Sequence, residues 1–258
     1  MMARIITGLA LVAIFLPIFL IGGPLINVVV LAVGLLGMFE LTSLRAGKFP
    51  NWIRYLIIAM VMALCFVDIS FKIWGLLILM ITLFTISIWV ESFTLEDVCL
   101  FTTLGLFLSM AGNGVLTYGL EDGFYIIYIA LVTFINDTGA YFAGRFFGKH
   151  KLNERISPKK TIEGSIGGFI CGVLMSLAVC YFRSDITLGL LGAIVYGVIM
   201  SITGPIGDLT FSLIKRHYHV KDYGSLLPGH GGMVDRIDSL LLNICVFQVV
   251  TTILSNIL

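Results

Sequence analysis

Residues 5–44 read IITGLALVAIFLPIFLIGGPLINVVVLAVGLLGMFELTSL. Two apolar runs, each near the ~20 residues that cross a hydrocarbon core, are broken by Gly22-Gly23-Pro24, a tight turn between antiparallel helices. The pattern repeats outward along the chain, with apolar segments at roughly 5–22, 25–44, 52–67, 73–90, 98–118, 124–144, 162–182, 188–207 and 237–257. Hydrophobic residues make up 59% of the chain and charged residues 12%, against about 45–50% and about 25% in soluble domains. One soluble core could not bury that much apolar surface, whereas a bilayer solvates it. The expected fold is therefore an all-α polytopic integral membrane protein of about nine transmembrane helices. Arg4 followed by an apolar run imitates a signal peptide, but a small-residue cleavage site is missing and further spans follow, so the run reads as a retained span.

Charge orients the bundle. Nine spans put the N-terminus and the loops near 45–54, 91–97, 145–161 and 208–236 on one side, with fourteen of the sixteen Lys and Arg. Only Lys72 and Arg183 fall on the other. Such an excess marks the cytoplasmic side, so the N-terminus is expected to be cytoplasmic and the protein multi-pass in the cell (inner) membrane. The net charge of +1 says nothing by itself about nucleic acid, and none is expected as a partner. The five cysteines lie in or beside apolar runs without a CxxC pair and read as small buried residues. Residues 1–120 read as lipid-facing and oligomerisation helices. Residues 121–258 read as catalytic helices and cytoplasmic loops of one integrated membrane domain.

Polar side chains bordering spans are costly, which makes them functional candidates. Three clusters stand out. In the first, residues 136–145, Asp137, Tyr141 and Arg145 share a helical stripe; it suits either a site or a structural Asp–Arg pair. The second, residues 157–168, joins Ser157, Lys159, Lys160, Thr161 and Glu163 to a Gly-rich helix start. Backbone N–H groups and lysines there favour a phosphate, although a basic loop drawn to anionic lipid has the same composition. The third, residues 207–238, is the longest. Asp208, Ser212 and Lys215 share a helix face; Arg216, Lys221 and Asp222 follow; Asp235, Arg236 and Asp238 open the last span. Asp208 and Asp235 are 27 residues apart, so they meet only if two helix ends converge, and such a pair would suit Mg²⁺ bridging substrate phosphates. The Gly-rich loop between them lets backbone approach a ligand closely. His150, His217 and His219 read as solvated, and His230, between glycines, as the histidine near a ligand.

The third cluster closely resembles the signature of the phosphatidate cytidylyltransferase (CDP-diacylglycerol synthase) family, bacterial type. Ser212, Lys215, Arg216, Lys221, Asp222, Gly224, His230, Gly231, Gly232, Asp235, Arg236 and Asp238 match every fixed position. Ser157-Pro158-Lys159-Lys160-Thr161-Ile162-Glu163-Gly164 and Asp137-Thr138-Gly139-Ala140-Tyr141 are similar to two further family segments. The resemblance covers roughly residues 130–245. It implies transfer of CMP from CTP to phosphatidic acid, giving CDP-diacylglycerol and pyrophosphate, with Mg²⁺ required, room for a second, monovalent cation such as K⁺, and a homodimer.

Residue chemistry agrees with that implication. Both reactants are polyanions, so positioning and charge neutralisation should dominate. Asp208 and Asp235 are expected as metal carboxylates. Lys159, Lys160, Lys215 and Arg236 are expected on phosphates, with Ser157, Thr161 and the Gly231-Gly232 backbone as hydrogen-bond donors. Asp137, Asp222 and Asp238 would orient those cations or hold a second ion. Two rivals are weighed: a CTP-dependent lipid alcohol kinase, and an ion-coupled membrane transporter, which would spread polar residues through the membrane depth and show an inverted repeat.

Overall fold

The computed structural model describes residues 2–187, 189–226 and 231–255, with side chains within 7–254. Nine α-helices occupy these residues: α1 (Met2–Ile21), α2 (Leu25–Ser43), α3 (Asn51–Phe66), α4 (Ile69–Trp89), α5 (Leu95–Glu121), α6 (Phe124–Phe147), α7 (Ile162–Phe182), α8 (Gly189–His217) and α9 (Val234–Ser255). Each matches one expected span, and the all-α polytopic expectation holds. Seven are long and apolar enough to cross a membrane; Thr7–Ile21 and Asn51–Phe66 are shorter apolar helices. Large apolar side chains stay exposed along them, such as Phe71, Trp74, Ile78, Ile81 and Ile88 on α4. That arrangement suits contact with lipid rather than water. Helices α6 and α8 run past the expected ends because backbone hydrogen bonding continues where hydropathy stops. A short antiparallel hairpin, β1 (Lys151–Asn153) and β2 (Ser157–Thr161), is an addition to the expected all-helical architecture.

Two compact units divide the chain. The first comprises residues 1–121 and 222–236; the second, residues 122–221 and 237–258. In the first, Gly22 and Gly23 take φ of +72° and +67°, which turns α1 into α2 at positions where other residues would be strained. Helix α5 packs against α2, α3 and α4. Phe49, Phe93 and Phe101 form an aromatic cluster beside them. The guanidinium of Arg45 grips the fully buried Asp97 through two nitrogens. Asp97 also accepts from the backbone N–H and hydroxyl of Thr94. Lys72 is not the loop cation the charge pattern suggests. It is buried within α4 and donates to the carbonyls of Leu64 and Ser109, where an ammonium complements the C-terminal end of α3.

In the second unit, α7 packs closely on α6 and α8. Gly164, Gly168 and Gly172 recur every fourth residue, so one face of α7 has no side chains. A Cβ on Gly168 would stand 2.7 Å from the Asn136 carbonyl oxygen and 2.8 Å from the Ala140 Cβ. Because that neighbour is backbone, Gly168→Ala should lower stability by about 1–3 kcal/mol through overpacking. Thermal unfolding in detergent checks this; an unchanged midpoint would contradict the packing. Polar side chains cross-link α6, α8 and α9: Asn136 donates to the Ser201 carbonyl, Asn243 to Thr133, and Thr203 to Asn243. Away from the hairpin, Arg183 bridges Asp122 and Asp185, and its hydrogen bonds hold the Asp185 carboxyl below the usual carboxylate range.

Candidate active site

The second unit gathers the chemistry of three sequence segments. Thr161 caps α7 by accepting the Gly164 N–H at 3.1 Å, which fixes where β2 ends. Neighbouring residues of a strand point to opposite faces, and β2 uses that alternation. Lys159 is exposed, while the Lys160 Nζ lies 2.5 Å from the Asp208 Oδ2. The contact is one of charge rather than an aligned hydrogen bond, for among the described residues the Nζ has no partner in hydrogen-bond geometry. On α8, the Ser212 hydroxyl donates to the Asp208 Oδ1 from one turn away at 3.3 Å, as the shared face requires. Lys215, on the same face, is buried.

Asp137 and Asp238 complete the cluster. Asp137 on α6 lies within electrostatic reach of Lys160 and Asp208 and within hydrogen-bonding reach of Ser239. Asp238 lies within reach of Asp208, Lys215 and Asp137, and its Oδ1 accepts the Ser239 N–H. Three acidic side chains and two ammonium groups of one unit are thus electrostatically coupled, with Lys160 and Asp208 in direct contact. The Asp137–Tyr141–Arg145 stripe divides: Arg145 donates to the Tyr141 hydroxyl, and Asp137 belongs to the lysine cluster. Glu163 has a supporting role. Its carboxylate accepts the backbone N–H groups of Lys149 and His150 and contacts the His150 Nδ1, tying the α6–β1 connection to the start of α7. His150, expected to be solvated, is exposed yet engaged by that carboxylate.

The first unit holds the other part of the signature. Asp235 is buried, and its Oδ2 accepts the N–H of Tyr223 at 2.8 Å and of Gly232 at 2.9 Å. Gly231 has φ of +85°, a conformation that favours glycine, and a Cβ there would stand 3.1 Å from the same oxygen. Lys221, in the second unit, and Asp222 and Arg236, in the first, are exposed, as is Arg216 near the end of α8. Ser157 is partly exposed on β2. His230 lies outside the described residues.

The model of the cytidylyltransferase family matches residues 2–254. This chain belongs to that family. A phosphatidate cytidylyltransferase of Staphylococcus haemolyticus (strain JCSC1435) is 35% identical, over 96% of this chain and 100% of the relative. Proteins of the same name from Staphylococcus aureus (strain COL) and Staphylococcus epidermidis (strain ATCC 12228 / FDA PCI 1200) are 34% and 35% identical over the same shares. In this cytidylyltransferase-family chain, therefore, the likeness extends well beyond the C-terminal signature, into the helices of the first unit.

Whether the residues suit Mg²⁺ turns on donor chemistry. Among the described residues, no three His, Cys, Asp or Glu side chains form a ready metal-binding group. Mg²⁺ does not need one: it commonly takes one or two carboxylates and completes its shell with water and substrate phosphates. The cluster of Asp137, Asp208 and Asp238 offers the hard oxygen donors that requirement calls for, and the fit is adequate.

Sequence reasoning missed one residue of the family chain's polar framework. Glu40 on α2 is buried, and its carboxylate accepts the N–H of Met233 at 2.8 Å and of Val234 at 3.0 Å. The signal was available: Glu40 is the one acidic residue within the first three apolar segments, and an ionisable side chain there is a functional candidate by default.

Proposed function

We propose that this chain transfers CMP from CTP to phosphatidic acid, producing CDP-diacylglycerol and pyrophosphate, in a Mg²⁺-dependent reaction at the cytoplasmic face of the cell (inner) membrane. The observation that carries the reading is the Lys160–Asp208 pair with Asp137, Asp238 and Lys215 around it, in a family chain whose full-length relatives bear the phosphatidate cytidylyltransferase name. An oxygen of the lipid phosphate attacks the α-phosphorus of CTP, a new P–O bond forms, and the bond to the β-phosphate breaks with its electron pair leaving on pyrophosphate. A phosphate monoester with second pKa about 6 is already largely ionised at neutral pH, so no general base is required.

The obstacle is repulsion between polyanions, and the cations answer it. Lys160 is held against Asp208 and Lys215 is buried within electrostatic reach of Asp238, so both are proposed to need little reorganisation when phosphate arrives. Lys159 and Arg236, both exposed, are proposed to reach the outer phosphates, with Ser157 and the Gly231 N–H as donors; the Gly232 N–H, expected as a donor too, is taken by Asp235. Asp208 is the proposed metal carboxylate of the second unit; Asp235 keeps the metal role that the signature implies and is tested separately. Bound Mg²⁺ would supply neutralisation of the charge that develops on the departing pyrophosphate. A second, monovalent cation and a homodimer are carried as parts of this proposal, supported by the signature resemblance alone.

Purified protein in detergent with Mg²⁺, CTP and phosphatidic acid should form CDP-lipid and release one pyrophosphate per lipid, and chelation of Mg²⁺ should stop both. Folded protein that forms no CDP-lipid would overturn the proposal.

A further inference from the structure

We infer that Glu40, far from the signature in sequence, is a positioning residue for it: its carboxylate sets the backbone from Gly232 to Val234 and thereby aims Asp235. The inference deepens the proposed transferase reading and rests on that reading for its catalytic consequence.

The argument begins with the start of α9. The first N–H groups of a helix have no partners within it, and their partial positive charge attracts anions. At α9 the two oxygens of Glu40 take the Met233 and Val234 N–H groups. Next to them, the Asp235 Oδ2 takes the Tyr223 and Gly232 N–H groups. Four consecutive or facing amides are therefore fixed by two buried carboxylates. With its Oδ2 tied to this backbone, Asp235 is oriented by whatever holds Gly232, Met233 and Val234.

Two glycines of the family signature then acquire a reason. A Cβ on Gly224 would stand 2.7 Å from the Glu40 Oε1, and a Cβ on Gly232 would collide with the same carboxylate. The signature demands small residues at these positions, and the group that demands them is Glu40. A carboxylate whose one role was to stabilise α2 would have no reason to be fitted between two signature glycines and a helix start.

The test separates position from folding. Glu40→Gln keeps the size but has one acceptor oxygen for two N–H groups. Hydrogen exchange of residues 231–235 should speed up at least about tenfold. Turnover per folded molecule should fall about 10–100-fold, the loss expected when a supporting hydrogen-bond partner is removed, with KM for CTP changed less than about threefold. Glu40→Asp, which keeps the charge, should recover part of kcat. Should Glu40→Gln fail to fold, Gly224→Ala, which presses a methyl group on the Glu40 Oε1, should give the same pattern more mildly. Unchanged exchange at 231–235, or unchanged kcat per folded molecule, would overturn the inference. Wild-type protein that forms no CDP-lipid would overturn the transferase reading instead, and the exchange measurement would still decide whether Glu40 fixes this backbone.

Discussion

Replacing Asp208 by alanine should reduce CDP-lipid formation by at least about 10²–10³-fold, the cost of losing one preorganised electrostatic group at a reacting phosphate, while thermal stability barely moves. The two effects separate because of where Asp208 sits. Its side chain is 28% exposed and that of its partner Lys160 26%; the Lys160 Nζ itself is shielded from solvent, but Asp137 stays within electrostatic reach of it, and partly exposed ion pairs contribute about 0–1 kcal/mol. The remaining contact, from Ser212, is a local one within α8. Folding thus loses little. Catalysis loses the carboxylate that orients Lys160 and is proposed to hold Mg²⁺, a loss of about 2.7–4 kcal/mol in the barrier. Pyrophosphate release and thermal unfolding, measured on the same preparation, check both halves. Near-wild-type turnover would remove Asp208 from the site.

Asp235 should behave differently. Asp235→Ala leaves the Tyr223 and Gly232 N–H groups buried without their acceptor, at a cost of about 1–3 kcal/mol each. Stability and activity should therefore fall together. Asp235→Asn is the discriminating variant, since its amide oxygen can still accept from that backbone. If Asp235 only holds the loop, Asn should recover stability and most turnover. If the carboxylate also serves the metal, Asn should recover stability while turnover stays about 10²–10³-fold down. The second result is the expected one. Full recovery of turnover by Asn would leave Asp208 as the metal carboxylate without Asp235.

The helices were legible because a bilayer imposes a length: a run of about 20 apolar residues matches its hydrocarbon core and is too long for an ordinary buried strand. Their ends were less so. Hydropathy stops at the first charges, yet α8 carries Asp208, Ser212 and Lys215 on ten further helical residues, to His217. The hairpin at 151–161 gave no alternating apolar signal, since β2 is Ser-Pro-Lys-Lys-Thr, and a proline is tolerated in so short an edge strand. Helical spacing did place Asp208 and Ser212 together, because neighbours on one helix follow from its pitch. It could not reveal that Asp137 turns to Lys160 rather than Arg145, which depends on tertiary packing. Glu40 was the least legible: its partner Met233 lies 193 residues away, and no local pattern connects an acidic residue of α2 with a glycine loop before α9.

The most direct test of the central claim follows the phosphorus atoms. CTP labelled at the α-phosphate in one reaction and at the γ-phosphate in another is supplied with Mg²⁺, phosphatidic acid and the purified protein. The α-label should enter the lipid as CDP-diacylglycerol and the γ-label should leave as pyrophosphate. A γ-label in the lipid with release of CDP would mark a kinase, and no label in lipid from folded protein would refute transferase chemistry altogether.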